Sequence, residues 1–319
     1  MRFIVNDTPI GELFFSMPQQ EELIIAQEQV SEFCRNAINN EKNERLEYEL
    51  EQMKRTKTAY HFLVLKEIAS LSKENGYPIM FNGSMGGSYI SFLLGISPFN
   101  PSKEPYISSE LIWSLYDSCN TPDFEISISP NVRSLIQKRL DEKFGFVKDN
   151  NSLFYQLRIT DCELCDCVFH TDVDMEKYDT SICTAIMQRL FPETANITCD
   201  FKQLVNIYAY KCGGSFSADI SLDELLGDDV IVTRDKLYFE LGSNNVPSEL
   251  AVKVVKKGVW SPENKKREYI LQLEKYSLPE NVLSAFKNAN HLWDVASCIS
   301  RLYIQCQKEY ESRIEDDKN

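Results

Sequence analysis

Apolar residues recur every three to four positions between Gln19 and Asn39, at Leu23, Ile24, Ala26, Val30 and Phe33. That spacing predicts an amphipathic helix, which the polar run from Asn40 to Asn43 ends. A second and longer helical pattern covers Glu44 to Glu74, with a break expected near Thr56 to Thr58. The apolar run from Tyr89 to Ile96 has helical character, and Asn131 to Phe144 reads as a further helix. Between these two the period changes to two. Phe124, Ile126 and Ile128 alternate with polar positions, so a strand is expected with Asp123 and Glu125 leaving one face. Leu153 to Ile159 and Glu163 to Phe169 read as two strands about a Thr160-Asp161 turn. Asp179 reads as a natural helix N-cap, and the chain is mostly helical from Phe201 onward. Residues 1–18 read as an irregular lead-in, and the acidic tail from Glu309 is expected to fray.

Two stretches carry candidate chemistry. GYPIMFNGSMGGSYISFLLGISPFNP, opening at Gly76, holds Gly83 and Ser84, then Gly86 and Gly87, just before an apolar helical run. Small residues opening a helix expose backbone N–H groups to which a phosphate can come close. TPDFEISIS then sets Asp123 and Glu125 two apart on a strand. Hard carboxylate oxygens on one face suit Mg²⁺, and two-metal phosphoryl transfer needs ions about 3.5–4 Å apart. A Gly-Ser turn alone is more often only a turn, and a strand bearing Asp-x-Glu is more often a solvated edge. In this order, the two together match a nucleotidyltransferase arrangement.

The Gly-Ser stretch resembles the corresponding motif of the bacterial replicative DNA polymerase III alpha subunit and is closest to the PolC-type enzymes. PDFEI is similar to the Pro-Asp-x-Asp palm strand of that family. RLEYELEQMKRTKTAYHFLVLKEIA resembles the segment leading into the palm, and FKQLVNIYAYKCGGSF resembles a Phe-x-x-Leu-Val segment ending in a Gly-Thr/Ser turn. Thr171 to Leu190 resembles the third palm strand and the helix after it, a register that puts the third carboxylate at Asp174 beside Asp172. The segment from Ser261 to Cys306 resembles the fingers, with His291 and Arg301 on the family's His and Arg positions.

The resemblance implies an α+β, nucleotidyltransferase-like (polymerase beta-type) palm with a mixed sheet surrounded by helices. Residues 1–75 would form a helical segment leading into the palm, 76–195 the palm-like core and 196–319 a fingers-like region. Asp123, Glu125 and Asp174 would be catalytic and hold two Mg²⁺ or Mn²⁺ ions. Gly83, Ser84, Gly86, Lys211, His291 and Arg301 would bind a nucleoside triphosphate. The expected reaction is two-metal phosphoryl transfer to DNA or another hydroxyl acceptor, in replication or repair. The other readings are an inactive polymerase-like module that binds nucleotide, DNA or protein, and a structural partner within a larger complex.

The chain departs from the family at three positions. Asn82 stands where an Arg usually precedes Gly-Ser, Ala289 stands where a Lys lies two residues before His291, and Glu125 replaces Asp. The two missing cations would neutralise a triphosphate, and charge-assisted contacts to phosphate are strong. The long block that family members insert after the palm strand is reduced here to the region of Phe146 to Cys167. No phosphoesterase domain, exonuclease segment, oligonucleotide-binding barrel or clamp-binding tail is legible, so a processive replicase is not expected.

Composition then narrows the partners. At 319 residues and 43% hydrophobic content, the chain can bury a core of two or three subdomains. A net charge of -14 opposes nonspecific attraction to a polyanion, so any DNA contact must be local. The one clear basic stretch is Lys253 to Lys275, with seven Lys/Arg against three Glu. No apolar run is long enough to span a bilayer, and the N-terminus lacks signal-peptide form, so a cytoplasmic protein with no membrane partner is expected. A protein partner is expected from the reading as part of a larger complex. Ten cysteines then read as reduced thiols. Cys162, Cys165, Cys167 and His170 invite a zinc reading, but no second Cys-x-x-Cys pair completes the set, and zinc is not expected.

Overall fold

The computed structural model describes residues 12–15, 19–104, 106–114, 124–144, 155–169, 178–194 and 197–316. Three helices follow the first strand: α1 (Gln20–Ala37), α2 (Glu44–Thr56) and α3 (Ala59–Glu74). The Asn43 side chain accepts the Leu46 N–H and caps α2, one of the donors a helix start leaves open. The expected break falls where Lys57 turns left-handed at φ 55°, so α3 sets off in a new direction. Leu23, Ala26 and Val30 are buried as their spacing predicts. Ile24 and Phe33 are not, being 48% and 43% exposed, because the apolar stripe of α1 is wider than the face its neighbours cover. The Phe33 ring instead carries the Lys66 ammonium at 4.5 Å.

The chain then passes through β2 (Met80–Asn82), α4 (Tyr89–Leu93), α5 (Ser109–Ser114), β3 (Phe124–Ile128), α6 (Arg133–Phe144) and β4 (Tyr155–Asp161). With β1 (Glu12–Phe15) these strands form a mixed sheet of order β1-β4-β3-β2. β3 and β4 are parallel and joined by the crossover helix α6, while β1 and β2 run antiparallel to their neighbours. Phe124, Ile126 and Ile128 are fully buried, as the alternation requires.

Two expectations fail here for one reason. The lead-in supplies β1, and Glu163–Cys165 is a 3₁₀ turn where a second strand of a hairpin was expected. β4 already has β3 on one edge and β1 on the other, so residues 163–169 have no edge left to pair with.

The rest is helical: α7 (Thr180–Leu190), α8 (Phe201–Tyr208), α9 (Leu222–Leu225), α10 (Arg234–Ser243), α11 (Ser248–Lys253), α12 (Glu263–Leu273), α13 (Glu280–Asn288) and α14 (Val295–Asp316). The Asp179 carboxylate accepts from the amides of Ser181 and Ile182, the predicted cap of α7. A two-stranded ribbon pairs β5 (Ser215–Phe216) with β6 (Ala289–His291). One apolar core joins the sheet to α1–α4, α7, α8 and α14, and a second joins Leu111 to residues of α10–α13. The tail does not fray at Glu309. α14 runs on to Asp316, and Glu309 is held by Arg189 and by Arg313, the latter at 2.9 Å.

Candidate functional site

β2 ends directly opposite the acidic strand, with Met80, Phe81 and Asn82 facing Ser127, Ile126 and Glu125. The Asn82 amide therefore lies over the carboxylate, donating to Ser127 Oγ at 2.9 Å and to Glu125 Oε1 at 3.4 Å. The chain then turns through Gly83 at φ 103° and ψ 169°, a conformation essentially closed to any residue with a Cβ. A 3₁₀ turn, Ser84–Gly87, follows and is wholly buried. Gly86 packs so closely that a Cβ would stand 3.3 Å from Phe81, and its N–H donates to Gly83 O. Gly87 is closer still, at 2.8 Å from Ile107.

What fixes this turn comes from far along the chain. Ser297, Ser300 and Arg301 lie three and four apart on α14 and so share one face. Ser297 Oγ accepts the Gly83 N–H at 2.7 Å, and Ser300 Oγ accepts the Phe81 N–H at 2.9 Å. β2 is an edge strand, and these hydroxyls satisfy the amides that no neighbouring strand reaches. Arg301 Nη1 donates to Asn82 Oδ1 at 3.0 Å, and its guanidinium lies over Trp293 at 4.8 Å. Trp293 in turn covers Gly213, where a Cβ would meet the ring at 2.6 Å.

A second guanidinium reaches the turn from α10. Arg234 Nη2 donates to Ser84 Oγ at 2.6 Å and to Asp294 Oδ2 at 2.9 Å. Its buried Nε has no acceptor among the described residues. Asp294 and Asp235 both serve the start of α14, accepting from Ser297 N and Val295 N at 2.8 Å each. Burial, and then the neighbouring Asp294 charge, raise the Asp235 carboxyl to about 6, with Arg234 opposing them. The outcome is two cations, Arg234 and Arg301, flanking the Gly83-Ser84 turn beside the Glu125 carboxylate.

From below, the turn is clamped by α2. Glu49 is fully buried, and its carboxylate accepts from Ser88 Oγ at 2.5 Å, Ser109 Oγ at 2.6 Å and Arg45 Nε at 3.1 Å. Arg45 also donates to the carbonyls of Gly87, Pro101 and Ile107. The Arg-Leu-x-Tyr-Glu-Leu run thus acts as a buried brace under the glycines.

The sequence-predicted residues divide as follows. Glu125, Gly83, Ser84 and Arg301 come together, and Gly86 lies in the buried turn behind them. His291, on β6, packs against Trp260 with ring centroids 3.9 Å apart and ring planes inclined at 44°. Its imidazole is held below its ordinary value by burial and then by the Arg234 charge, which favours the neutral form. Lys211, on the π-turn Ala209–Gly213, is partly exposed, and its ammonium pairs with Glu193 at 2.9 Å. Asp123, Asp172, Asp174 and His170 lie outside the described residues. Among the described residues, no three His, Cys, Asp or Glu side chains are grouped to hold a metal ion.

Ala289, the position of the missing Lys, is fully buried, and its carbonyl accepts from the buried Lys266 ammonium at 2.5 Å. Arg234, Ser297 and Asp294 went unread in the sequence, although Ser297, Ser300 and Arg301 at helical spacing in an apolar run were a usable signal. A separate cavity of about 480 Å³, lined by Phe92, Tyr106, Phe201, Thr233, Lys236 and Val295 among others, includes none of the predicted residues.

Comparison with known proteins bears on the N-terminal half. Residues 22–153 match the family model of the bacterial DNA polymerase III alpha NTPase domain, so this segment is DNA polymerase III alpha-like. DNA polymerase III subunit alpha of Aquifex aeolicus (strain VF5) is 27% identical over 103 residues, covering 32% of this chain and 9% of that protein. The same subunit of Yersinia pestis is 21% identical over 223 residues, covering 62% of this chain and 19% of that protein. The chain therefore spans less than a fifth of the length of these curated relatives. No helix among the described residues is long and apolar enough to cross a membrane.

Proposed function

We propose that this chain is a reduced, PolC-type DNA polymerase III alpha-like nucleotidyltransferase core that binds a nucleoside triphosphate at the Gly83-Ser84 turn. The carrying observation is the meeting of Glu125, Asn82, Ser84, Arg234 and Arg301, drawn from β2, β3, α10 and α14, at one open glycine turn. A Cβ at Gly83 would touch nothing within 4 Å, so the turn can be approached closely by a ligand. Arg234 and Arg301 supply the cationic character that Asn82 and Ala289 do not. Divalent Mg²⁺ or Mn²⁺, held by Glu125 with Asp123 and Asp174, would supply charge neutralisation and activation of the attacking hydroxyl. Ser84 and the two guanidinia would orient the phosphates, and the palm-like sheet would carry the carboxylates. A cytoplasmic role in replication or repair, on DNA and with a protein partner, fits this reading.

The test is calorimetric titration of dATP with Mg²⁺ into the native chain and into Arg301→Ala, together with extension of a primed template. Saturable, metal-dependent binding is expected. Arg301→Ala should weaken it by about 1.5–3 kcal/mol, the worth of a hydrogen bond to a charged group. Metal-independent or absent binding would overturn the proposal. One observation favours the second reading, an inactive binding module: the Asn82 amide is engaged with Glu125, the one candidate metal ligand described. Metal-dependent binding without any primer extension would select it.

A further inference from the structure

Cys162-Glu163-Leu164-Cys165 is a Cys-x-x-Cys sequence that neither the triphosphate site nor the sheet requires. It begins where β4 ends. The Cys162 N–H donates to Ile128 O at 3.0 Å, and the 3₁₀ turn that follows closes with Cys165 N–H on Cys162 O at 2.9 Å. A turn of this kind holds its first and fourth Cα atoms within about 7 Å, which reaches the span a disulfide needs.

The two sulfurs are placed unequally. Cys165 is fully buried, with its sulfur 3.5 Å from Ser127 O and beside the Cys162 sulfur. Cys162 is only partly buried and lies within the field of Arg301. Hydrogen bonding from the Cys165 thiol, from two backbone amides of the turn and the Arg301 charge all favour its thiolate, and only burial opposes them. One sulfur is thus reachable and nucleophilic, and the other is shielded beside it. The buried Cys183 and Cys306, which also lie side by side, have no reachable member.

We propose that Cys162 and Cys165 form a peroxide-reactive dithiol, with Cys162 as the attacking sulfur and Cys165 as the resolving one. The Cys162 thiolate attacks one oxygen of a hydroperoxide. The S–O bond forms as the O–O bond breaks, and hydroxide leaves and takes up a proton as water. The Cys165 sulfur then attacks the sulfenic sulfur of Cys162. The S–S bond forms, and the hydroxyl leaves with the Cys165 proton as a second water. Two thiols and one hydrogen peroxide thus give one disulfide and two waters. Oxidation removes a negative sulfur from the neighbourhood of Arg301, whose guanidinium holds Asn82.

The test treats the reduced full chain with hydrogen peroxide at one to five equivalents. Free thiols should fall from ten to eight and the mass by about 2 Da. Fragmentation of the tryptic peptide of residues 159–177 should place the bond between Cys162 and Cys165. Cys165→Ser should stop at a sulfenic acid on Cys162 that a cyclic 1,3-diketone traps, and Cys162→Ser should slow the reaction at least tenfold. If either variant does not fold, the native chain answers by alkylation. Cys162 should react at least tenfold faster than the exposed Cys212 at pH 7, with its rate half-maximal near pH about 6. Alkylation of Cys162 no faster than Cys212, a bond formed at Cys167 or Cys306 instead, or one tightly held zinc per chain blocking the reaction would each overturn the proposal.

Discussion

Asp235 shows how a single buried carboxylate can be costly and still be kept. It caps the first amide of α14 and shares its surroundings with Asp294, and Arg234 offsets only part of the resulting charge. Its folded value, about 6, lies above the ordinary 3.8, so the folded state binds the proton more tightly than the unfolded chain. The stability tied to this group therefore grows as pH falls from about 7 through 6 towards 4 and is lost as pH rises through 6. Asp235→Asn keeps an acceptor for Val295 N and removes the titration. Unfolding free energies from urea titration at pH 5 and pH 7.5 should differ less in the variant than in the native chain, by on the order of 1–3 kcal/mol. An identical pH dependence in the two would mean that Asp235 is not the titrating group.

At the scale of elements, two helices decide the shape of the glycine turn. α14 offers Ser297, Ser300 and Arg301 to β2, and α2 offers Arg45 and Glu49 to the chain behind it. The brace is the more sensitive of the two, because Glu49 is fully buried and satisfies four donors: Ser88 Oγ, Ser109 Oγ, the Ile90 amide and Arg45 Nε. Glu49→Ala strands Arg45 and two hydroxyls without their acceptor. A loss of about 3–5 kcal/mol is expected, as when one partner of a buried pair is removed. The readout is the denaturant midpoint. A change below about 1 kcal/mol, the scale of an exposed ion pair, would show that the brace carries little. The sequence announced α2 and its break from periodicity alone, whereas the partners of Arg45 and Glu49 lie some 40 to 60 positions away, beyond any local pattern.

At the scale of the molecule, the candidate site joins parts separated by more than 200 positions. Glu125 belongs to the sheet, while Arg234 and Arg301 belong to the helical half. A ligand gripping both should stabilise the whole fold by mass action, about 2.7 kcal/mol at a hundredfold excess over Kd. Melting of the native chain should therefore rise when dATP and Mg²⁺ are added together. Glu125→Gln, Asp123→Asn and Asp174→Asn should each remove the metal-dependent part of that rise. Equal rises in native and variant chains would dissociate the three carboxylates from the ligand.

The chain's own periodicity determined α1, α2, α3 and α6 and the alternation of β3, because those signals depend on burial of one face and need only neighbours along the sequence. The motifs singled out Gly83, Ser84 and Glu125, and the family resemblance added Arg301. Tertiary structure alone decided the remainder. Pairing of β4 with β1 and β3 turned an expected hairpin into a parallel crossover unit and left Cys162–Cys165 as a tight turn. Packing of α14 on β2 brought Ser297 to Gly83, and α10 carried Arg234 to Ser84. Hydrogen bonds and charges act over a few ångströms in space and are indifferent to sequence separation, so the partners of a site cannot be read until the chain has folded around it.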